Sequence, residues 1–150
     1  MPEIIVRLSV LLLVGVIAWL SVTFGKRFVD LRRQRALSAP LPDTLSSVIN
    51  TDNTTNKARV CILAFSTPNC VQCHRLQAPV LQRVLEARGE AVAIVDIDAS
   101  TSPELAQRYQ VLTVPTTVVL DATGQAHTVN YGFANTKRLL EQVDEVIEER

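Results

Sequence analysis

Apolar positions fall into three patterns along this chain. The first is a nearly uninterrupted run. Leu8 to Phe24 carries no charge, and Ile4 to Val6 extends the run across a single break at Arg7. Arg7 has a long apolar stem that can snorkel to an interface. About twenty helical residues rise ~30 Å, the thickness of a bilayer core. A segment apolar on every face needs lipid or a large protein around it. The pattern predicts a membrane-spanning anchor over residues 1–27. A cleavable leader would end in small residues, and Lys26-Arg27-Phe28 stands there instead.

The second pattern is polar. Residues 28–58 form a basic stretch followed by a linker. Phe28 to Leu37 is expected to prolong the helix. The stretch from Ser38 to Ala58 carries Pro40, Pro42 and the polar run Asn50 to Asn56, and buries too little apolar surface to fold alone. A short helix over Asp43 to Ile49 is possible, since Asp43 or Thr44 can cap it.

The third pattern, over residues 59–150, alternates short apolar runs with helical periodicity. Val60 to Phe65 is unbroken rather than alternating, which predicts a strand covered on both faces. Leu76, Val80, Leu81, Val84 and Leu85 make one helical face ending at Gly89, with Pro79 inside it as a kink. A strand follows over Ala91 to Ile97, where Asp96 and Asp98 mark the solvated end. A short helix from Pro103 to Tyr109 has Ser102 as its cap. Thr116 to Leu120 is a strand, Asp121-Ala122-Thr123-Gly124 a turn, and Ala126 to Tyr131 its antiparallel partner. Asn135 or Thr136 caps a last helix that aligns Leu139, Leu140, Val143, Val146 and Ile147. The order is strand, helix, strand, helix, strand, strand, helix, an α/β architecture.

Charge adds orientation and excludes one class of partner. Fifteen basic residues balance fifteen acidic ones, so no broad field points to nucleic acid. The basic residues crowd behind the apolar run, at Lys26, Arg27, Arg32, Arg33 and Arg35, against Arg7 before it. Basic flanks prefer the cytoplasmic side, which places the globular part there, as a single-pass membrane protein in contact with the lipid bilayer.

The candidate chemistry lies between the first strand and the helix after it, in Thr67-Pro68-Asn69-Cys70-Val71-Gln72-Cys73-His74. A Cys-x-x-Cys pair so placed puts Cys70 at a helix N-terminus, where unpaired N–H groups and the macrodipole favour a thiolate. Cys73, three residues on, shares that helical face and is close enough to close a small disulfide ring. Cys61, inside the first strand, reads as a small buried hydrophobe.

This pair, followed about forty residues later by Val114-Pro115-Thr116, resembles the thioredoxin family over Arg59 to Glu149. The resemblance implies a thioredoxin-like fold, a central mixed sheet flanked by helices. It implies thiol-disulfide exchange on protein substrates, with Cys70 as nucleophile and Cys73 as resolving thiol. Pro115 would be cis and lie against the pair, leaving the Val114 backbone free to hold an extended substrate. Asn69 and Gly132, the latter on a loop closing the same surface, complete the expected substrate contacts. No cofactor beyond the Cys70–Cys73 disulfide is implied. Electrons would come from a partner reductase or a membrane dithiol relay, since no nucleotide-binding glycine pattern is present.

The chain departs from the family at several positions. Asn69 replaces an aromatic, Val71-Gln72 replaces Gly-Pro, and Ala64 stands where the reductases carry a buried acid. The lysine paired with that acid would fall near Ile94. Pro79 lies one residue later after Cys73 than the usual spacing. These changes leave reductase, oxidant and isomerase open, with reductase favoured for a cytoplasmic domain. Membrane-tethered relatives often face the other side. Two further classes compete. Without turnover, the domain would be a scaffold. Cys70-Val71-Gln72-Cys73-His74 also fits c-type haem attachment, with His74 as proximal ligand, but the α/β pattern opposes it and only His127 remains as a second ligand. A zinc site would lack a second ligand pair.

Overall fold

A computed structural model describes residues 12–24, 27, 37 and 58–148. The chain divides into two units, Met1–Gln34 and Arg35–Arg150. In the first, residues 12–24 are helical with their apolar side chains exposed, Leu12, Trp19 and Phe24 among them. That helix rises ~20 Å, short of a ~30 Å bilayer core. Among the described residues no helix is long and apolar enough to cross a membrane. The spanning anchor expected over residues 1–27 is therefore not supported by them, and the rest of that stretch lies outside them. The helices expected over 28–37 and 43–49 lie outside them too, apart from the helical Leu37.

The second unit is built on a four-stranded sheet. Strands β1 (Val60–Ser66), β2 (Val92–Asp98), β3 (Thr116–Asp121) and β4 (Ala126–Tyr131) are ordered β2-β1-β3-β4. β1 runs parallel to β2 and antiparallel to β3, and β3 pairs antiparallel with β4. The sheet is mixed, as expected.

The unbroken apolarity of β1 has the expected cause. Val60, Ile62 and Ala64 face one core and Cys61, Leu63 and Phe65 the other. The first core is covered by α1 (Ala78–Arg88), through Val80, Leu81 and Val84, and by α3 (Thr136–Glu148), through Leu139, Val143 and Val146. The second lies toward α2 (Pro103–Arg108) and contains Tyr109, whose ring centroid is 6.0 Å from that of Phe65. Two contacts tie α3 in place. Asn130 and Gln142 exchange side-chain hydrogen bonds of 2.8 and 3.0 Å, and Arg88 meets Asp144 at 2.6 Å. Gly89 and Gly124 take the positive φ their turns need, and Asn135 Oδ1 accepts from the Arg138 N–H to start α3.

The helix after the cysteines differs from expectation in its inward face. Residues Cys73–Gln77 form one π turn, in which the Ala78 N–H reaches back to the Cys73 carbonyl. A π turn holds one residue more than an α turn. The turn thus absorbs the late position of Pro79, and α1 keeps Val80, Leu81 and Val84 on the core. Gln77 becomes the buried residue of that turn, and Leu76 is 48% exposed. Leu85, also expected inside, is more than a third exposed. The cap before α2 differs as well. Ser102 makes no side-chain cap bond. Asp98 organises that turn: Ser100 donates both its hydroxyl and its N–H to Asp98 Oδ1, which holds the carboxyl below its usual range.

Candidate active site

The turn Pro68-Asn69 carries the chain from β1 into the helix, and the Cys70 N–H closes it on the Thr67 carbonyl at 3.0 Å. Cys70 therefore stands at the helix start, half-buried. The Cys73 N–H points at the Cys70 sulfur from 3.2 Å. This is the unpaired donor of a helix N-terminus, and it favours a sulfur that carries negative charge. Cys73 is 5% exposed, one turn further in. The two sulfurs are joined as a disulfide, with Cα atoms 5.3 Å apart. Cys70 is partly exposed and Cys73 enclosed, an asymmetry that suits sequential attack and resolution.

The other residues singled out from the sequence gather unequally. The Val114–Pro115 peptide is cis and Pro115 is buried. Pro115 lines a pocket of about 290 Å³ together with Cys73 and His74. The Gly132 N–H donates to the Pro115 carbonyl at 2.9 Å, so the glycine loop joins the site through the proline. Val114 packs partly against the second core. Asn69 is exposed on the turn. His74 places Nε2 3.2 Å from the Pro68 carbonyl and thus helps hold the same turn.

Two residues gain importance only in three dimensions. Gln77, 3% exposed, lays its amide along the backbone of Ala134. Its Nε2 donates to the Ala134 carbonyl at 3.2 Å and its Oε1 accepts from the Ala134 N–H at 3.0 Å. The glycine loop is thereby fastened to the π turn behind Cys73. The late Pro79 was the one sequence signal for it. Asp96 lies on the same pocket as Cys73, although the sequence marks it only as an acid at the solvated strand end.

The thioredoxin family model matches residues 46–145, starting inside the stretch read as linker. Thioredoxin from Listeria monocytogenes is 36% identical over 78 residues, 52% of this chain and 70% of that protein. Thioredoxin from Bacillus subtilis is 33% identical over 85 residues, 57% of this chain and 80% of that protein. Among solved structures, Fasciola hepatica thioredoxin superposes with a TM-score of 0.55 at 27% identity, covering 67% of this chain and 89% of its own. Chloroplastic thioredoxin z gives 0.55 at 26% identity, covering 70% and 88%. With two thirds of its length matched and a bonded Cys-x-x-Cys pair at the helix start, this chain belongs to the thioredoxin family of thiol-disulfide oxidoreductases.

Proposed function

We propose that this protein is a membrane-tethered reductase of protein disulfides. Cys70 attacks a substrate disulfide to give a mixed disulfide. Cys73 then attacks Cys70, releasing the reduced substrate and restoring the Cys70–Cys73 disulfide. The observation that carries this reading is the Cys73 N–H aimed at the Cys70 sulfur, with Cys73 itself enclosed. In this reading the Val114 backbone, Pro115, Asn69 and Gly132 receive the substrate as an extended strand. No bound cofactor takes part, and a partner reductase or membrane dithiol relay returns the pair to the dithiol.

The apolar N-terminal stretch supports the tether. In the helix at 12–24, Ser21 and Thr23 donate their hydroxyls to the carbonyls of Ile17 and Trp19, which satisfies them without water. The basic flank supports a domain on the cytoplasmic side.

The test is reduction of oxidised insulin by the full-length chain in detergent micelles, with dithiothreitol as donor. Cys70→Ser should abolish turnover, and Cys73→Ser should accumulate a mixed disulfide. A Cys70→Ser protein that still turns over would overturn the reading. The couple should have a potential near ~−270 mV, whereas ~−120 mV would make the protein an oxidant of thiols. Alkaline washing of membranes tests the tether: the full chain should stay with the lipid and a chain lacking residues 1–35 should be released.

A further inference from the structure

Resolution requires Cys73 to lose a proton at a place where solvent barely reaches it. Its side chain is 5% exposed. The pocket of about 290 Å³ against it has room for several waters. Ala64 supplies only a methyl group there and is itself 5% exposed. The titratable groups lining the pocket are His74, from the π turn, and Asp96, from β2. β1 contributes Ala64, Phe65 and Ser66, the π turn Gln77, α1 Ala78 and Leu81, and β3 Thr116 with Pro115 just before it, none of which titrates in this range.

The strand register places Asp96. Ala64 of β1 lies directly opposite Asp96 of β2. Asp96 follows Val92 and Ile94 in the alternation that faces the first core, beneath the helix carrying Cys73. Asp96 both lines the pocket and is exposed, so a proton received there passes readily to bulk solvent.

We propose that Asp96 is the proton acceptor for Cys73, acting through water in this pocket. This rests on the assignment of Cys73 as resolving thiol. The thiol proton passes by way of water to the Asp96 carboxylate. The Cys73 sulfur forms a bond to Cys70, and the bond from Cys70 to the substrate sulfur breaks. The substrate leaves as a thiolate with the electron pair and takes up a proton afterwards. The cysteine pair is oxidised and the substrate disulfide reduced. His74, held by its Nε2 on the Pro68 carbonyl of the outer turn, is the rival base that the experiment separates from Asp96.

The experiment uses the reduced full-length chain in micelles and a symmetrical nitrobenzoate disulfide whose released thiolate is yellow. Attack by Cys70 releases the first coloured thiolate and resolution by Cys73 the second. At about pH 7, Asp96→Asn should slow the second release at least about tenfold and leave the first unchanged, at the low end of general-base effects because water intervenes. The deficit should shrink as the pH rises, because hydroxide increasingly replaces the lost carboxylate as the base. Asp96→Glu, or Ala64→Asp in the Asp96→Asn background, should recover the rate. A second release that is unaffected by Asp96→Asn at all pH values would overturn the assignment. So would a larger loss in His74→Gln than in Asp96→Asn. Absence of any second release from the unaltered protein would instead remove Cys73 from its role, a failure of the underlying reading rather than of Asp96.

Discussion

Cys61 shows how one buried side chain gives the whole domain a pH dependence. It is the thiol left outside the disulfide, and burial in β1 pushes it from an ordinary 9.0 up to about 11. Between those values the unfolded chain has released a proton that the folded chain retains. Raising the pH therefore favours unfolding. The contribution is complete below about pH 9 and is lost as the pH rises through 11. It reaches roughly 2–3 kcal/mol, at about 1.4 kcal/mol per pKa unit. Urea denaturation of reduced protein across this range should show a shallower decline in Cys61→Ala than in the unaltered chain. Parallel curves would mean that the Cys61 thiol ionises as easily folded as unfolded. Asp144 runs in the opposite direction. Its hydrogen bond with Arg88 lowers its carboxyl, so this ion pair helps above the usual carboxylate range and is lost as the pH falls through the folded value.

At the scale of elements, the π turn separates two demands that meet at Pro79. The proline must sit where its missing N–H costs little, and Val80, Leu81 and Val84 must face the sheet. Deleting Gln77 should shorten the turn to an ordinary α turn and leave α1 in register. The cost is the two bonds to Ala134, about 2–4 kcal/mol with both backbone groups left unpaired. Deleting Gln82 instead rotates Val84 by ~100° away from the core and should leave no cooperative unfolding transition. Circular dichroism melts distinguish the two, and equal damage from both deletions would rule out the turn as the adjustable part. This part of the molecule was only half legible beforehand. The late proline is visible in the sequence as a spacing, but helical periodicity assumes 3.6 residues throughout and so put Leu76 inside. The strand content of Val60 to Phe65, the Asn135 cap and the Gly124 turn were all readable, because each depends on local chemistry. The meeting of Asp96 with Ala64 was not. It depends on the register of two parallel strands, which neither strand encodes by itself. The Asp98 turn was missed for a smaller reason, since a serine directly before Pro103 looks like a cap whether or not its hydroxyl is used.

For the molecule as a whole, β1 has two ends with different duties. The preceding chain arrives at Val60, where the Arg59 N–H bonds the Ala91 carbonyl, and the reactive sulfurs follow Ser66 at the other end. Seven residues of strand set these ends ~20 Å apart. The tether proposed above would attach at the first end and leave the second free to meet its target. Reach and reactivity become separate properties. A Gly/Ser stretch of about ten residues inserted after Ser38 should leave the rate on free oxidised insulin unchanged. On a substrate fixed to the same vesicle the rate should fall, as the local concentration of one for the other is diluted. A drop on free insulin would show that the leash end and the sulfur end are coupled. If they are not, and the proposed tether holds, changes in residues 38–45 retune which neighbours the protein services while its redox chemistry stays constant.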